Sequence, residues 1–216
     1  MNQIVLFLSL AFVVAYFVGN FCGAIIISKK LMKKDIRDLG SSNPGTTNMS
    51  RVFGLKYGIM TFAVDCLKAF LAVKLVNFLI STNISEFWGD IGGYLAGVAV
   101  ILGHNYPVVF KFKGGKGFAS AIGVYLAVNP IMTVIALAGC LIIILTTDIM
   151  SLYAISFFTS TMLYTCLMTD VHWSMKLCTV GYFLLGVWAH RNNIKSLLKG
   201  NERKLGIRAK IFKKTK

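Results

Sequence analysis

Apolar runs long enough to cross a lipid bilayer recur along almost the whole chain, each bounded by a short polar stretch. They occupy residues 4–27, 55–80, 88–103, 118–145, 153–168 and 173–189. A span needs about 20 apolar residues. Backbone in hydrocarbon must satisfy its own hydrogen bonds, which a helix does within one segment. Composition agrees: 56% of the 216 residues are hydrophobic and only 14% are charged, whereas about a quarter of a soluble domain is charged. Disorder is excluded too, because disordered chains are poor in hydrophobic residues. The expected class is an all-α, polytopic membrane protein.

The run 118–145 is the ambiguous one, because Asn129-Pro130 interrupts it. The residue before a proline is pushed away from helical angles, so the pair reads as a turn between helices at 118–128 and 131–146. The distribution of charge decides the same question. Outside Lys68, Lys74 and Lys176, every Lys and Arg lies in residues 29–56, 104–117 or 190–216. Positive charge in short loops marks the cytoplasmic side. Two helices at 118–146 give seven spans and bring all three basic regions to one side, with the N-terminus outside and the C-terminus inside; one long helix does not. Helix 118–128 is then only about 16 Å long, so it must begin deep, or the loop before it must dip into the membrane. A five-span arrangement satisfies the same parity. The whole chain, 1–216, reads as a single transmembrane domain with a basic cytoplasmic tail at about 191–216.

The net charge of +15, from 23 Lys and Arg against 8 Asp and Glu, would suggest nucleic acid in a soluble protein. Here the tail lacks the aromatic residues that a nucleic-acid platform interleaves with its cations, so its charge reads as orientation and attraction to anionic lipid. Cys22, Cys66, Cys140, Cys166 and Cys178 lie in or beside apolar runs at no metal-like spacing and read as buried small hydrophobes. The first apolar run lacks a basic start and leads straight into a basic loop, so it is expected to be a retained span.

Three polar islands do not look like ordinary loops. Residues 40–51, Gly-Ser-Ser-Asn-Pro-Gly-Thr-Thr-Asn-Met-Ser-Arg, read either as turn and cap residues before a helix or as an anion cradle of amides and hydroxyls closed by Arg51. Residues 103–117 end in Gly114-Gly115-Lys116-Gly117. That cluster is either a bare glycine turn at a membrane re-entry or a backbone that approaches phosphate closely and brings an ammonium to it. It is not a P-loop, since the spacing differs and Gly117 replaces the required hydroxyl. His104 on its own reads as structural. Residues 190–204 follow the last span. His190 and Asn193 are three apart and share a helical face, and His190 is the candidate for titration near neutrality; interfacial snorkelling of a basic helix end is the alternative. Asp65 and Lys68, three apart inside a span, are either functional ions or a structural pair. No cluster of carboxylates offers a metal site, and no acid is obviously placed to complete a Ser-His-Asp triad with His190. Together the islands point to binding one or two phosphates at the inner leaflet.

At these residues the chain resembles the bacterial integral-membrane acyl-phosphate:glycerol-3-phosphate acyltransferases. Their motifs run approximately G-S-G-N-P-G-A-T-N-x-x-R, then G-H-x-F-P-x-F-x-x-F-K-G-G-K-G-V-A-T, then H-R-x-N-I-x-R-L-x-x-G-x-E-x-K. Residues 40–51 match the first with Ser42 for Gly and Thr46 for Ala. Residues 103–120 match the second with Tyr106 and Val109 for Phe, Phe118 for Val and Ser120 for Thr. Residues 190–204 match the third with Ser196 for Arg.

The resemblance implies transfer of an acyl group from acyl phosphate to the sn-1 hydroxyl of glycerol 3-phosphate, an early step of phospholipid synthesis. It implies a seven-helix fold in the bacterial cell membrane, an active site facing the cytoplasm, no cofactor and no metal. It puts Ser41, Arg51, Lys116, His190 and Asn193 around glycerol 3-phosphate as the catalytic set. Gly114, Gly115 and Gly117 would cradle the acyl phosphate. Asn43, Thr46, Asn48, His104 and Lys113 belong to the substrate-binding set, as does Glu202, which is expected to pair with a neighbouring cation and organise the last motif. The deprotonating group is either His190 or a substrate phosphate. Membrane lipid surrounds the protein, and a single copy is expected to function. The rivals are a transporter of organic phosphates, which should show internal repeats and midplane sites, and a lipid-binding scaffold without turnover.

Overall fold

The computed structural model describes residues 2–206; the tail residues Arg208, Lys210, Lys213, Lys214 and Lys216, on which part of the expected basic tail rests, lie outside them. Among the described residues the regular structure is helical. The helices are α1 (Asn2–Gly19), α2 (Gly23–Leu31), α3 (Thr46–Phe53), α4 (Leu55–Asn83), α5 (Glu86–Asn105), α6 (Phe118–Val128), α7 (Pro130–Thr147), α8 (Met150–Met168), α9 (Trp173–Ala189) and α10 (Arg191–Leu198). Single 3-10 turns sit at Ile36–Asp38 and Val108–Phe110.

Four segments are long and apolar enough to cross a bilayer unaided: Asn2–Leu31, Glu86–Phe110, Pro130–Thr147 and Met150–Met168. Helix α4 has 29 residues, about 43 Å at 1.5 Å each, but carries Lys56, Asp65, Lys68 and Lys74. Helix α6 has only 11 residues. The turn between α6 and α7 falls at Asn129-Pro130 as the sequence predicts. Asn129 is extended there, at φ −152° and ψ 82°, and its side chain accepts from Met132 N–H at 3.1 Å while Pro130 opens α7.

Helix α5 is the axis of the bundle, packed against α1, α4, α6 and α9. Small residues let it do so. A Cβ on Gly103 would strike the backbone carbonyl of Tyr16 on α1, the close approach that small residues permit between membrane helices. Beneath it Tyr125, Tyr182, Phe157 and Phe158 are fully buried. Their rings meet edge to face, with Tyr125 at 5.5 Å from Tyr182 and 5.7 Å from Phe157. The Tyr182 hydroxyl donates to Tyr94 O at 2.6 Å. Large apolar side chains also point outward, among them Leu6, Leu71, Ile135, Ile142 and Leu184. An apolar exterior of this kind belongs in lipid.

The first run is not one continuous helix. It breaks between Gly19 and Gly23, and the ions of α4 fill the break. Lys68 Nζ donates to Gly19 O at 3.1 Å and Phe21 O at 2.6 Å, and Asp65 Oδ1 accepts from Gly23 N–H at 3.1 Å. The ions pair with each other at 2.9 Å. Helix ends leave backbone groups unpaired, and in hydrocarbon each would be costly. The Asp65–Lys68 pair therefore acts as a staple for a discontinuous helix.

Candidate active site

At one end of the bundle the three polar islands line a single cavity of about 860 Å³. The first wall is the 40–51 loop. Asn48 shapes it: its Oδ1 accepts from Ser41 N–H at 2.9 Å, and its Nδ2 donates to Leu39 O at 3.0 Å and Ile36 O at 3.4 Å. Ser42 stands where the family pattern has glycine and holds φ at +58°, a left-handed angle that costs an L-residue about 1–2 kcal/mol. Helix α3 then opens at Thr46 with Gly45 as its cap and no side chain on its first amides, leaving N–H groups of the kind that bind anions. The Thr46 hydroxyl is buried without a hydrogen-bond partner. Arg51 lines the cavity from the last turn of α3.

The glycine loop is the second wall, and it folds back on the end of α5. Gly115 N–H donates to His104 O at 3.0 Å, and a Cβ on Gly115 would run into His104 Nε2. Only glycine fits that approach. His104 is buried at the cavity floor, with Nδ1 at 3.0 Å from Lys68 Nζ and 3.5 Å from Asp65 Oδ1. Gly117 caps α6 at φ +77°. Lys116 reaches across the cavity to donate to Asn193 Oδ1 at 2.5 Å. Burial lowers the affinity of Lys116 for its proton, and the negative charge of Glu202 opposes that.

His190 and Asn193 form the third wall, at the junction of α9 and α10. His190 Nδ1 lies 2.8 Å from Gly186 O; a carbonyl only accepts, so Nδ1 carries the proton and Nε2 is left as the acceptor. Burial pushes this imidazole down to about 4, so it is neutral at pH 7. Asn193 Nδ2 donates to Glu202 Oε1 at 2.6 Å, and Ser151 Oγ donates to the same oxygen at 2.7 Å. Glu202 thus reaches the Lys116 cation through Asn193.

The lining brings together Ser41, Arg51, Lys116, His190 and Asn193, and also Asn43, Thr46, Asn48, His104, Gly114, Gly117 and Glu202. Gly115 lies just behind it, and Lys113 is exposed outside it. Sequence reasoning missed several contributors. Arg203 lines the cavity and donates to Gly40 O at 3.4 Å. Ser151, at the junction of α7 and α8, also lines the cavity. An apolar side wall of Phe62, Phe118, Ile122, Leu137, Tyr153 and Ala154 adjoins the polar groups. The arrangement can hold anions against fixed cations and amides while an alkyl chain lies beside them.

Comparisons with known proteins agree over the same residues. The family model described as glycerol-3-phosphate acyltransferase matches residues 9–200. The glycerol-3-phosphate acyltransferase of Finegoldia magna is 37% identical over 93% of this chain and 98% of its own length. That of Thermoanaerobacter pseudethanolicus is 38% identical over 92% and 96%. The crystal structure of PlsY, an integral membrane glycerol 3-phosphate acyltransferase in its glycerol 3-phosphate form, superposes with a TM-score of 0.81 at 33% identity, covering 91% of this chain and 94% of that one. Its lysophosphatidic acid form gives 0.79 at 32% identity. With the motifs in order and the match running nearly end to end, this chain belongs to the glycerol-3-phosphate acyltransferase family of integral membrane enzymes.

Proposed function

We propose that the chain transfers the acyl group of an acyl phosphate to the sn-1 hydroxyl of glycerol 3-phosphate, giving 1-acylglycerol 3-phosphate (lysophosphatidic acid) and phosphate. One observation carries this reading: a single cavity joins a cationic, amide-rich end to an apolar wall. A donor that is anionic at its head and an alkyl chain behind needs both, and the acceptor dianion needs the first.

In this reading Ser41, Arg51, Lys116, His190 and Asn193 hold glycerol 3-phosphate. The amides of Gly114, Gly115 and Gly117 hold the donor phosphate, with His104 beneath them and Asn43, Thr46 and Asn48 fixing the facing loop. Lys113 adds positive charge at the approach. The sn-1 oxygen attacks the acyl carbonyl carbon. The bond from that carbon to the phosphate oxygen breaks, and its electron pair leaves with phosphate. An acyl phosphate is already activated, so juxtaposing two anions, screening their repulsion and orienting the hydroxyl is the main task. The sn-1 hydroxyl donates its one hydrogen bond, and then its proton, to a donor phosphate oxygen. The donor phosphate gains negative charge and basicity as its bond to the acyl carbon breaks, whereas burial holds the imidazole at about 4. The steps use no metal or cofactor.

The Lys and Arg bias supports seven spans in the bacterial cell membrane, with the N-terminus outside, the C-terminus inside and the cavity open to the cytoplasm. All the residues used come from one copy. The test is phosphate release from the purified protein given acyl phosphate, with and without glycerol 3-phosphate. Release that requires both, with a 1-acyl product, is expected. Turnover with acyl-CoA and none with acyl phosphate overturns the donor.

A further inference from the structure

After α10 the chain turns back along the cavity as an irregular strap, and the corner between α7 and α8 grips it. Leu205 N–H donates to Asp148 O at 2.9 Å, and Gly206 N–H to Asp148 Oδ2 at 2.8 Å. Ser151 Oγ donates to Glu202 Oε1 at 2.7 Å. Asp148 is buried and holds a left-handed φ of +62°. Ser151 is buried in the first turn of α8. The strap has no ladder of its own to hold Glu202 still, so these bonds do it.

We propose that Ser151, backed by Asp148, is a positioning residue for acyl transfer: the α7–α8 corner holds Glu202 against Asn193, which in turn aims Lys116 at the acceptor phosphate. This rests on the reading above, in which Lys116 and Asn193 hold glycerol 3-phosphate. The chain of contacts is continuous, from Ser151 to Glu202 at 2.7 Å, on to Asn193 at 2.6 Å and on to Lys116 at 2.5 Å. A lysine on a flexible four-carbon stem is a poor anchor unless something fixes its head. Asn193 does so only while Glu202 fixes Asn193.

The corner also tunes charge. Glu202 is the carboxylate that supports the Lys116 ammonium against burial. His190, Arg51 and Arg203 share the cavity, with Asp65 and His104 at its floor. Loosening Glu202 therefore lets Lys116 lose its proton more readily, and the alkaline limb of activity moves to lower pH.

The experiment compares the full-length wild type with Ser151→Ala, Ser151→Thr, Glu202→Ala and the Ser151→Ala/Glu202→Ala double variant in detergent or proteoliposomes. Glycerol 3-phosphate binding is read by calorimetry and acyl transfer by phosphate release across pH. From the strength of a hydrogen bond to a charged group, Ser151→Ala is expected to weaken glycerol 3-phosphate binding roughly tenfold, with the KM for acyl phosphate within about twofold. Its alkaline limb moves down, the hydroxyl of Ser151→Thr restores both properties, and Ser151→Ala costs nothing further in the Glu202→Ala background. Unchanged binding in Ser151→Ala, or losses that multiply in the double variant, overturns the proposal. Asp148→Gly gives an independent reading if Ser151→Ala does not fold, because glycine accepts the +62° backbone while deleting the acceptor; weakened binding supports the proposal and wild-type binding overturns it. Should the wild type release no phosphate from acyl phosphate, the donor reading falls, while calorimetry still decides the role of Ser151.

Discussion

Replacing Asn193 separates two ideas about the centre of this site. Its side chain accepts from Lys116 at 2.5 Å and donates to Glu202 at 2.6 Å. Asn193→Ala deletes two hydrogen bonds with charged partners, each contributing about 1.5–3 kcal/mol. Lys116 and Glu202 already attract each other across Asn193, so closing up to roughly 5 Å, where the pair is worth about 3 kcal/mol at an effective dielectric near 20, recovers only part of that loss. The offset leaves a net loss of about 2 kcal/mol, or roughly 30-fold in kcat/KM for glycerol 3-phosphate. Asn193→Asp keeps the size and the acceptor but adds a negative charge beside the acceptor dianion. One further repulsive pair at that distance costs another 3 kcal/mol or so, on the order of 100-fold. The expected order is wild type, then Ala, then Asp, with the Asp loss shrinking as ionic strength rises. Steady-state phosphate release over a glycerol 3-phosphate series reads it directly. An Asp variant as active as the Ala variant would mean that Asn193 is a spacer remote from the anion, and the assignment would be withdrawn.

Three other outcomes follow from particular residues. Arg51→Lys keeps the charge but loses the bidentate fork, so KM for glycerol 3-phosphate should rise roughly tenfold; an unchanged KM removes Arg51 from the acceptor site. His190 titrates near 4 in the fold against about 6.5 in an unfolded chain, so the unfolded state binds more protons between those values. Stability should fall as pH drops from about 6.5 toward 4, a slope that thermal unfolding of His190→Asn should show reduced. The acid limb of kcat should instead follow ionisation of the donor phosphate and be kept in His190→Asn. Lys68→Met leaves the buried Asp65 without its ammonium partner, which costs about 3–5 kcal/mol. Adding Asp65→Leu should recover part of the lost thermal midpoint, and a double variant less stable than the single one would refute the pairing.

Much of this architecture is legible in the chain itself, because bilayer physics makes local patterns strong. Apolar length found the helices, and Asn129-Pro130 separated α6 from α7. The bias of Lys and Arg puts the three islands on one side, and they do line one cavity. What stayed hidden depends on residues distant in sequence. The break in the first run has almost no local signature beyond Asn20 between two glycines, since its cause is on α4. Helix α3 is only eight residues of polar sequence and reads as loop. Ser151 and Asp148 look like an ordinary helix junction until the chain returns to them more than 50 residues later. Arg203 was one cation among many in a basic tail.

The Asp65–Lys68 pair shows why a choice between a structural ion and a functional ion can be false. The pair holds the α1–α2 break open, and the break presents groups that the next motif uses. Asn20 Oδ1 accepts from Val109 N–H at 3.3 Å, and the Tyr16 hydroxyl donates to Tyr106 O at 2.8 Å. Both contacts seat the loop leading into Gly114. Lys68 also meets His104 Nδ1 at 3.0 Å, and the His104 carbonyl receives Gly115 N–H. A continuous first helix would offer neither the free carbonyls that hold Lys68 nor Asn20 at that depth. The buried ions thus stabilise the backbone beneath the glycine loop without reaching the reacting atoms. They should govern whether the loop is formed, not how fast a correctly formed site turns over.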